Sequence, residues 1–418
     1  MSSTAPGLTA QTGPTDALFL SDSLHDSAFN ATEVQTTTNF VRDFIDLAPV
    51  TGDDTVGSGK EVTFDIDKSV HLWGSFNLEF VVSALTSGGA GTTLRFANYL
   101  PLLLIESVRV VYGTNELQNI SGLALLARYA RDKLGSEEQQ RVVDQQLLGG
   151  MSAVEREARA ASPQKVTIPD IPLFFGQDLT NTLFSRTLRD AVRIKIKFRN
   201  FSDPSLVQSD YSGAWNFSIT GIKLRGTGYN VTEPELRLRM DEISLADGGR
   251  FYNVDYPQEE SDVVIPAGTD GRHTVSLKNV SGTVKDIHFI LRRRADIEND
   301  LSALPNPDPL RVEPFAALEI KGSSNMHVIP RITYEELMHV HGPEMYGYAS
   351  VMPHPAYSHG HAVVERHSMG HMNYGNIQGL KLILEFAQPL AADCVLQVVA
   401  FTNNTVQYHR SDLSRLLV

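Results

Sequence analysis

The sequence predicts an all-β chain whose antiparallel sheets are built twice, once in each half, and three observations carry that reading. Residues 166–198, VTIPDIPLFFGQDLTNTLFSRTLRDAVRIKIKF, end on Val192, Ile194, Ile196 and Phe198 alternating with Arg193, Lys195 and Lys197. This is the period-two pattern of a strand with one apolar and one wet face. Near the C-terminus NYGNIQGLKLILEF repeats the design, with Leu380, Leu382, Leu384 and Phe386 on one face. Elsewhere short strand-like runs are separated by turn signals without a helix between every pair, which favours antiparallel sheets over alternating strand and helix.

In order along the chain, EVTFDI from Glu61, then WGSFNLEFVVSAL, a GGAG turn and ESVRVVYG read as strands of the first half. A helical insertion follows at about 120–161. Ile120 to Leu134 and Ser136 to Ala161 lack β-alternation and carry Ala, Leu, Arg, Glu and Gln; Ser136 is a candidate N-cap, and Gly149 with Gly150 breaks the second helix. Strands resume at Val166, and WNFSITGIKLRGTGYNV closes the half. VTEPELRLR is the expected linker. In the second half TVSLKNVSGTVKDIHFILRR supplies two strands around a turn, with Ile287, Phe289 and Leu291 alternating against Asp286, His288 and Ile290. ALPNPDPLRVEPF, with four prolines, is a loop. Arg292 to Arg294 followed by Asp296, Glu298 and Asp300 reads as a self-neutralising solvated face.

Length and composition narrow the function classes. A chain of 418 residues suits two domains of about 200 residues each. The longest apolar runs, Tyr99 to Ile105 and Val395 to Phe401, fall far short of the roughly 20 residues that span a bilayer. The opening MSSTAPGLTAQTGPTDALFL has neither a basic n-region nor a compact apolar stretch, so no secretory signal is expected. Cys394, the single cysteine, excludes an internal disulfide and fits a reducing compartment. A net charge of −13 argues against direct nucleic-acid binding, because that affinity rests on cations neutralising phosphates. No Lys or Arg precedes Arg42, whereas Asp16, Asp22 and Asp26 do. Residues 1–30, rich in Ser, Thr, Gly and Pro, therefore read as an arm ordered by partners through Leu18, Phe19, Leu20, Leu24 and Phe29.

Phosphate-cradling loops, nucleophile elbows and cysteine–histidine zinc pairs are absent, so no catalytic, cofactor-binding or metal residues are assigned. Histidine does stand out. Eight of the thirteen, His327, His339, His341, His354, His359, His361, His367 and His371, lie within 45 residues. His359, His361 and Glu365 form H-x-H-x3-E, which partly resembles the first metal motif of cupins; a cupin-like metal-dependent enzyme using segment 339–371 is the alternative function. Seven N-x-S/T sequons, at Asn30, Asn119, Asn200, Asn216, Asn230, Asn279 and Asn403, read as chance in an Asn-, Ser- and Thr-rich β protein.

The phrases line up, in order and over most of the chain, with one family. NFVRDFIDL, GKEVTFDIDKSVHLWGSFNLEFVV, ESVRVVYGTNELQNISG, the 166–200 block, VKDIHFILRR, the run from Met345 to Phe386 and the ending LQVVAFTNNTVQYHRSDLSRLLV carry the likeness. The chain resembles the double jelly-roll major capsid proteins of nucleocytoplasmic large DNA viruses, the iridovirus and chlorovirus group. Phe289 stands where the family usually has tryptophan. The resemblance implies two antiparallel eight-stranded jelly rolls side by side, at 31–232 and 233–418. It also implies a structural, non-enzymatic subunit without a cofactor: a homotrimeric, pseudo-hexagonal capsomer tiling an icosahedral shell. Implied partners are neighbouring capsomers and minor capsid, cement and penton proteins, with an internal membrane nearby and assembly in the host cytoplasm.

Overall fold

The computed structural model describes residues 40–131, 144–149, 151–176, 181–186, 188–231, 250–304, 307–308, 311–323, 326–338, 356–358, 372–409 and 411–416. Eight principal strands run from Phe40 to Val231: β1 Phe40–Leu47, β2 Glu61–Ile66, β3 Leu72–Val82, β4 Ile105–Tyr112, β5 Asn115–Ser121, β6 Gln164–Ile168, β7 Val192–Phe198 and β8 Ile219–Val231. Eight more follow: β9 Arg250–Glu259, β10 Gly271–Ser276, β11 Thr283–Arg293, β12 Ala317–Lys321, β13 His327–Thr333, β14 Ala356–Ser358, β15 Lys381–Phe386 and β16 Cys394–His409. The first set forms sheets β1-β8-β3-β6 and β2-β7-β4-β5, and the second repeats the scheme as β9-β16-β11-β14 and β10-β15-β12-β13.

This order has a simple origin. Folding eight strands as one long hairpin pairs first with eighth, second with seventh, third with sixth and fourth with fifth. Rolling that ribbon up adds eighth against third and seventh against fourth. Both halves contain all six pairings, every one antiparallel, so each is a jelly roll and the chain is a double jelly roll.

The two strands that stand out in the sequence are the seventh of each roll, central in their sheets. On β7, Val192, Ile194, Ile196 and Phe198 are buried, with Ile194 between Phe64 and Val110. Leu380, just before β15, and Leu382, Leu384 and Phe386 on it are buried in the same way. Centrality demands strict alternation, because one face meets the core and the other meets solvent.

The outer faces are laced by charge. Glu79 on β3 meets Lys165 of β6 at 3.3 Å and Lys223 and Arg225 of β8 at 3.5 and 3.0 Å; Asp46 on β1 meets both β8 cations at 2.7 Å. Glu61 on β2 pairs with Lys195 and Arg109, and in the second roll Glu385 of β15 pairs with Arg272 and Arg331. Hydrogen bonding from Arg225, then from Lys223, holds the Asp46 carboxyl down at about 2. A carboxyl depressed on folding contributes stability above its unfolded value and loses it as pH falls through the folded one. The margin of the wild type over Asp46→Asn, at most ~1 kcal/mol for so exposed a group, should therefore vanish between pH about 4 and about 2, as read by urea midpoints.

The helical insertion begins later than the sequence pattern predicts. β5 continues through Ile120 to Ser121, and the helix spans Gly122–Arg131. Ser121 accepts a hydrogen bond from the Ala124 amide at 3.0 Å, and a Cβ on Gly122 would sit 2.1 Å from the Ile105 carbonyl oxygen. The helix can start only where glycine lets it cross that strand. A second helix, Ala153–Ala160, is opened by a capping box between Ser152 and Glu155. The candidate cap Ser136 lies outside the described residues. Gly149 ends the preceding turn against the Tyr99 ring, which a Cβ would meet at 2.0 Å.

Candidate functional site: the seam between the rolls

Two corrections to the sequence reading locate the seam. The alternation of Ile287, Phe289 and Leu291 against Asp286, His288 and Ile290 on β11 does not separate a buried face from a wet one, since all six are buried. The basic-acidic run was expected to be solvated throughout; Arg294 and Glu298 do pair on the surface at 2.7 Å, but Arg292 and Asp296 are buried. The cause is the same for both. The sheet containing β11 and β16 uses one face for its own roll and lays the other on the first roll. On β16 the alternation is plain: Cys394, Leu396, Val398 and Ala400 join the second roll's core, whereas Val399 and Phe401 join the core of the first.

The first roll meets this sheet with the connection between β6 and β7, the Pro-aromatic part of the conspicuous block. Gly176, at φ +83°, lets the chain press on β3, where a Cβ would stand 2.2 Å from the Gly74 carbonyl oxygen. The preceding Phe174 and Phe175 are fully buried. Phe175 packs edge-on against Phe76, and Phe174 packs edge-on against Tyr252 of β9 at 5.5 Å between centroids. The Tyr252 hydroxyl donates to the Thr182 carbonyl at 3.1 Å. At the other end of the contact the Tyr112 hydroxyl lies 3.0 Å from both the Ser411 carbonyl and an Asp412 carboxylate oxygen. Burial foremost raises the pKa of that phenol, so it stays a hydroxyl and keeps its proton for the second roll.

A polar hub joins the rolls elsewhere along the seam. Gln208 is 0% exposed, and its carbonyl oxygen accepts from Arg95 Nε at 2.5 Å and Arg156 Nη1 at 3.3 Å. Its amide nitrogen donates to Asn299 Oδ1 at 2.9 Å and to the Pro307 carbonyl. Asn299, held at φ +51°, returns its own amide to the Ser205 and Pro204 carbonyls at 2.6 and 3.2 Å. Asp296 accepts from the Asp308 amide at 2.8 Å and lies 3.4 Å from Arg311. Burial shifts four charged groups here toward their neutral forms: Arg95 and Arg156 down, Arg292 down to about 10, Asp296 up. Because Asp296 is raised, its contribution is present at low pH and lost as pH rises through its folded value. Acid therefore weakens the outer ladders and leaves the contribution of Asp296 in place.

Beyond the hub, Asp255 of β9 lies 3.5 Å from Arg128 of the insertion helix and 2.8 Å from Lys285 of β11, and Ser121 of β5 bonds Glu259 of β9. These residues tie the second roll to the first. Among the described residues no three His, Cys, Asp or Glu side chains gather as a metal site. His327 sits exposed on β13, 3.9 Å from Glu319. The other seven histidines of the cluster, with Glu365, lie outside the described residues, as does the 1–30 arm. Cys394 is buried, and burial pushes its thiol up to about 11, which leaves it unreactive. No described helix is long and apolar enough to cross a membrane.

Sequence reasoning missed Gln208, Asn299, Asp296, Arg95 and Arg156 as a set. One signal was present: IPLFF is too apolar for a connection unless something covers it, and a proline-rich loop preceded by a run of Arg and Asp is a suitable reach-over. Tyr334, buried enough to have its phenol raised, completes the contrast, since it serves only the second core.

The family model for the major capsid protein N-terminus matches residues 28–238. No curated protein matches the chain. Among solved structures the chain is similar to PBCV-1 VP54 from that virus capsid, with 14% identity, 94% of this chain and 100% of that one covered, and a TM-score of 0.71. The Faustovirus major capsid protein aligns at 11% identity over 97% of each chain, TM-score 0.66. The mavirus major capsid protein aligns at 12% identity over 94% of this chain and 93% of that one, TM-score 0.54. At these identities the likeness concerns the fold, and it agrees with the strand order found twice above. The chain belongs to the major capsid protein family and is a virion capsid protein with a double jelly-roll fold.

Proposed function

We propose that this capsid subunit assembles as a pseudo-hexagonal homotrimer that tiles the icosahedral shell of a large double-stranded DNA virus. The supporting observation is one strand topology built twice on a shared seam. Three subunits of two similar rolls present six similar towers, so three-fold contacts can pass for six-fold ones in a hexagonal array. In this reading residues 1–30 are the assembly arm, 31–232 and 233–418 the two rolls, and the role is structural, not enzymatic. Partners are further copies, minor capsid, cement and penton proteins, with an internal membrane beneath and no direct grip on nucleic acid. Assembly takes place in the host cytoplasm.

Immunogold labelling of thin sections from infected or expressing cells tests this, with gold expected on hexagonal arrays or polygonal shells in the cytoplasm. Label confined to diffuse cytosol would contradict it. The metalloenzyme alternative is settled by elemental analysis of purified protein. We expect no stoichiometric iron, manganese or zinc; a stoichiometric metal lost in His361→Ala would replace the structural reading.

A further inference from the structure

We propose that β1 of one copy receives the N-terminal arm of a second copy, with the apolar run Leu18 to Phe29 laid along its free edge over Val41 and Phe44. The proposal rests on the capsid-assembly reading and deepens it by naming the seat. β1 pairs with β8 along its whole length, Phe40 opposite Val231 through Leu47 opposite Leu224, and among the described residues no strand pairs its other edge. Such an edge is a template for one more strand.

Its side chains suit a partner better than water. Val41 is 48% and Phe44 63% exposed, and the Arg42 guanidinium lies 4.9 Å over the Phe44 ring. The remainder of this outer face differs: beside Phe44, Asp46 already has Lys223 and Arg225, and Glu79 completes that ladder. Phe44 and Arg42 thus form an apolar and cationic spot at the rim of a self-neutralised face.

The occupant follows from the chain itself. The 39 residues before β1 include Leu18, Phe19, Leu20, Leu24 and Phe29, carry Asp16, Asp22 and Asp26, and contain no Lys or Arg. This chemistry complements Val41, Phe44 and Arg42 in both hydrophobicity and sign. At ~3.3–3.6 Å per residue such a segment can reach over 100 Å, against a radius of gyration of about 22 Å for a compact chain of this length. It spans a neighbour easily. Among the described residues nothing covers Val41 and Phe44.

Disulfide trapping in full-length protein tests the seat, because the native thiol of Cys394 is buried and does not interfere. Chains carrying Phe44→Cys are mixed with chains carrying Leu20→Cys or, separately, Leu24→Cys, concentrated to assembly and oxidised with copper phenanthroline. With either arm position, the expected product is a mixed-chain dimer on a non-reducing gel, about tenfold above a control pairing the same arm variant with Val264→Cys. A band no stronger than the control overturns the proposal. So does Leu20→Cys combined with Phe44→Cys in one chain, if it closes within that chain at high dilution. Native mass separates the two readings: a trimer without the mixed band removes only the seat, whereas a monomer removes the capsomer.

Discussion

Phe174→Ala should destabilise the whole chain by about 3–5 kcal/mol, with both rolls unfolding in one transition displaced to lower denaturant. The ring is fully buried between Phe175 and Tyr252, so truncation opens a cavity in the first roll's core at the point where β9 of the second roll reaches into it. Neither side can collapse into it easily, because Gly176 pins the connection against β3 and the Tyr252 hydroxyl is tied to Thr182. Guanidinium titration followed by Trp73 and Trp215 fluorescence, which reports the first roll, and by far-UV circular dichroism, which reports the whole chain, checks this. Coincident but shifted curves are expected. A second transition appearing only in the dichroism signal would mean that the second roll stands alone and the seam is a mere contact.

Gln208→Ala should cost about 2–4 kcal/mol, although it removes a neutral and modest side chain. It takes away at once the acceptor shared by Arg95 and Arg156 and the donor to Asn299 and Pro307, leaving buried polar groups to find new partners without water. Gln208→Glu separates the two halves of that role. The arginines keep an acceptor and gain a counter-charge, while Asn299 Oδ1 and the Pro307 carbonyl lose their donor. It should therefore fall between wild type and Gln208→Ala at neutral pH. Equal stability of Gln208→Ala and wild type in thermal unfolding would show that the hub is incidental.

Much of the fold was legible because central strands of a two-layer roll are forced into strict alternation. β7 and β15 show it, and residues Arg193 and Lys195 on one of them show the wet face as well. The edge of the helical insertion was less legible, since Ile120 and Ser121 satisfy a strand pattern only in register with Val108 and Ser107. The seam was the least legible part. Asp286, His288, Arg292 and Asp296 have the composition of a solvated surface, and nothing local marks them as covered. Their burial follows from the packing of this sheet on the first roll, whose core Tyr252, Val399 and Phe401 join, a relation that spans more than a hundred residues. The histidine-rich run, the loudest compositional signal in the second half, lies mostly outside the described residues; among those described, the short strand Ala356–Ser358 within it and Met372–Asn373 just after it pair with β11.

The central claim is that two rolls fused along one seam form a third of a six-towered building block, and native mass spectrometry of the purified full-length chain tests it most directly. The expected species has three times the 46.1 kDa of one chain and persists on dilution through the micromolar range. A stable monomer of 46.1 kDa under the same conditions would contradict it.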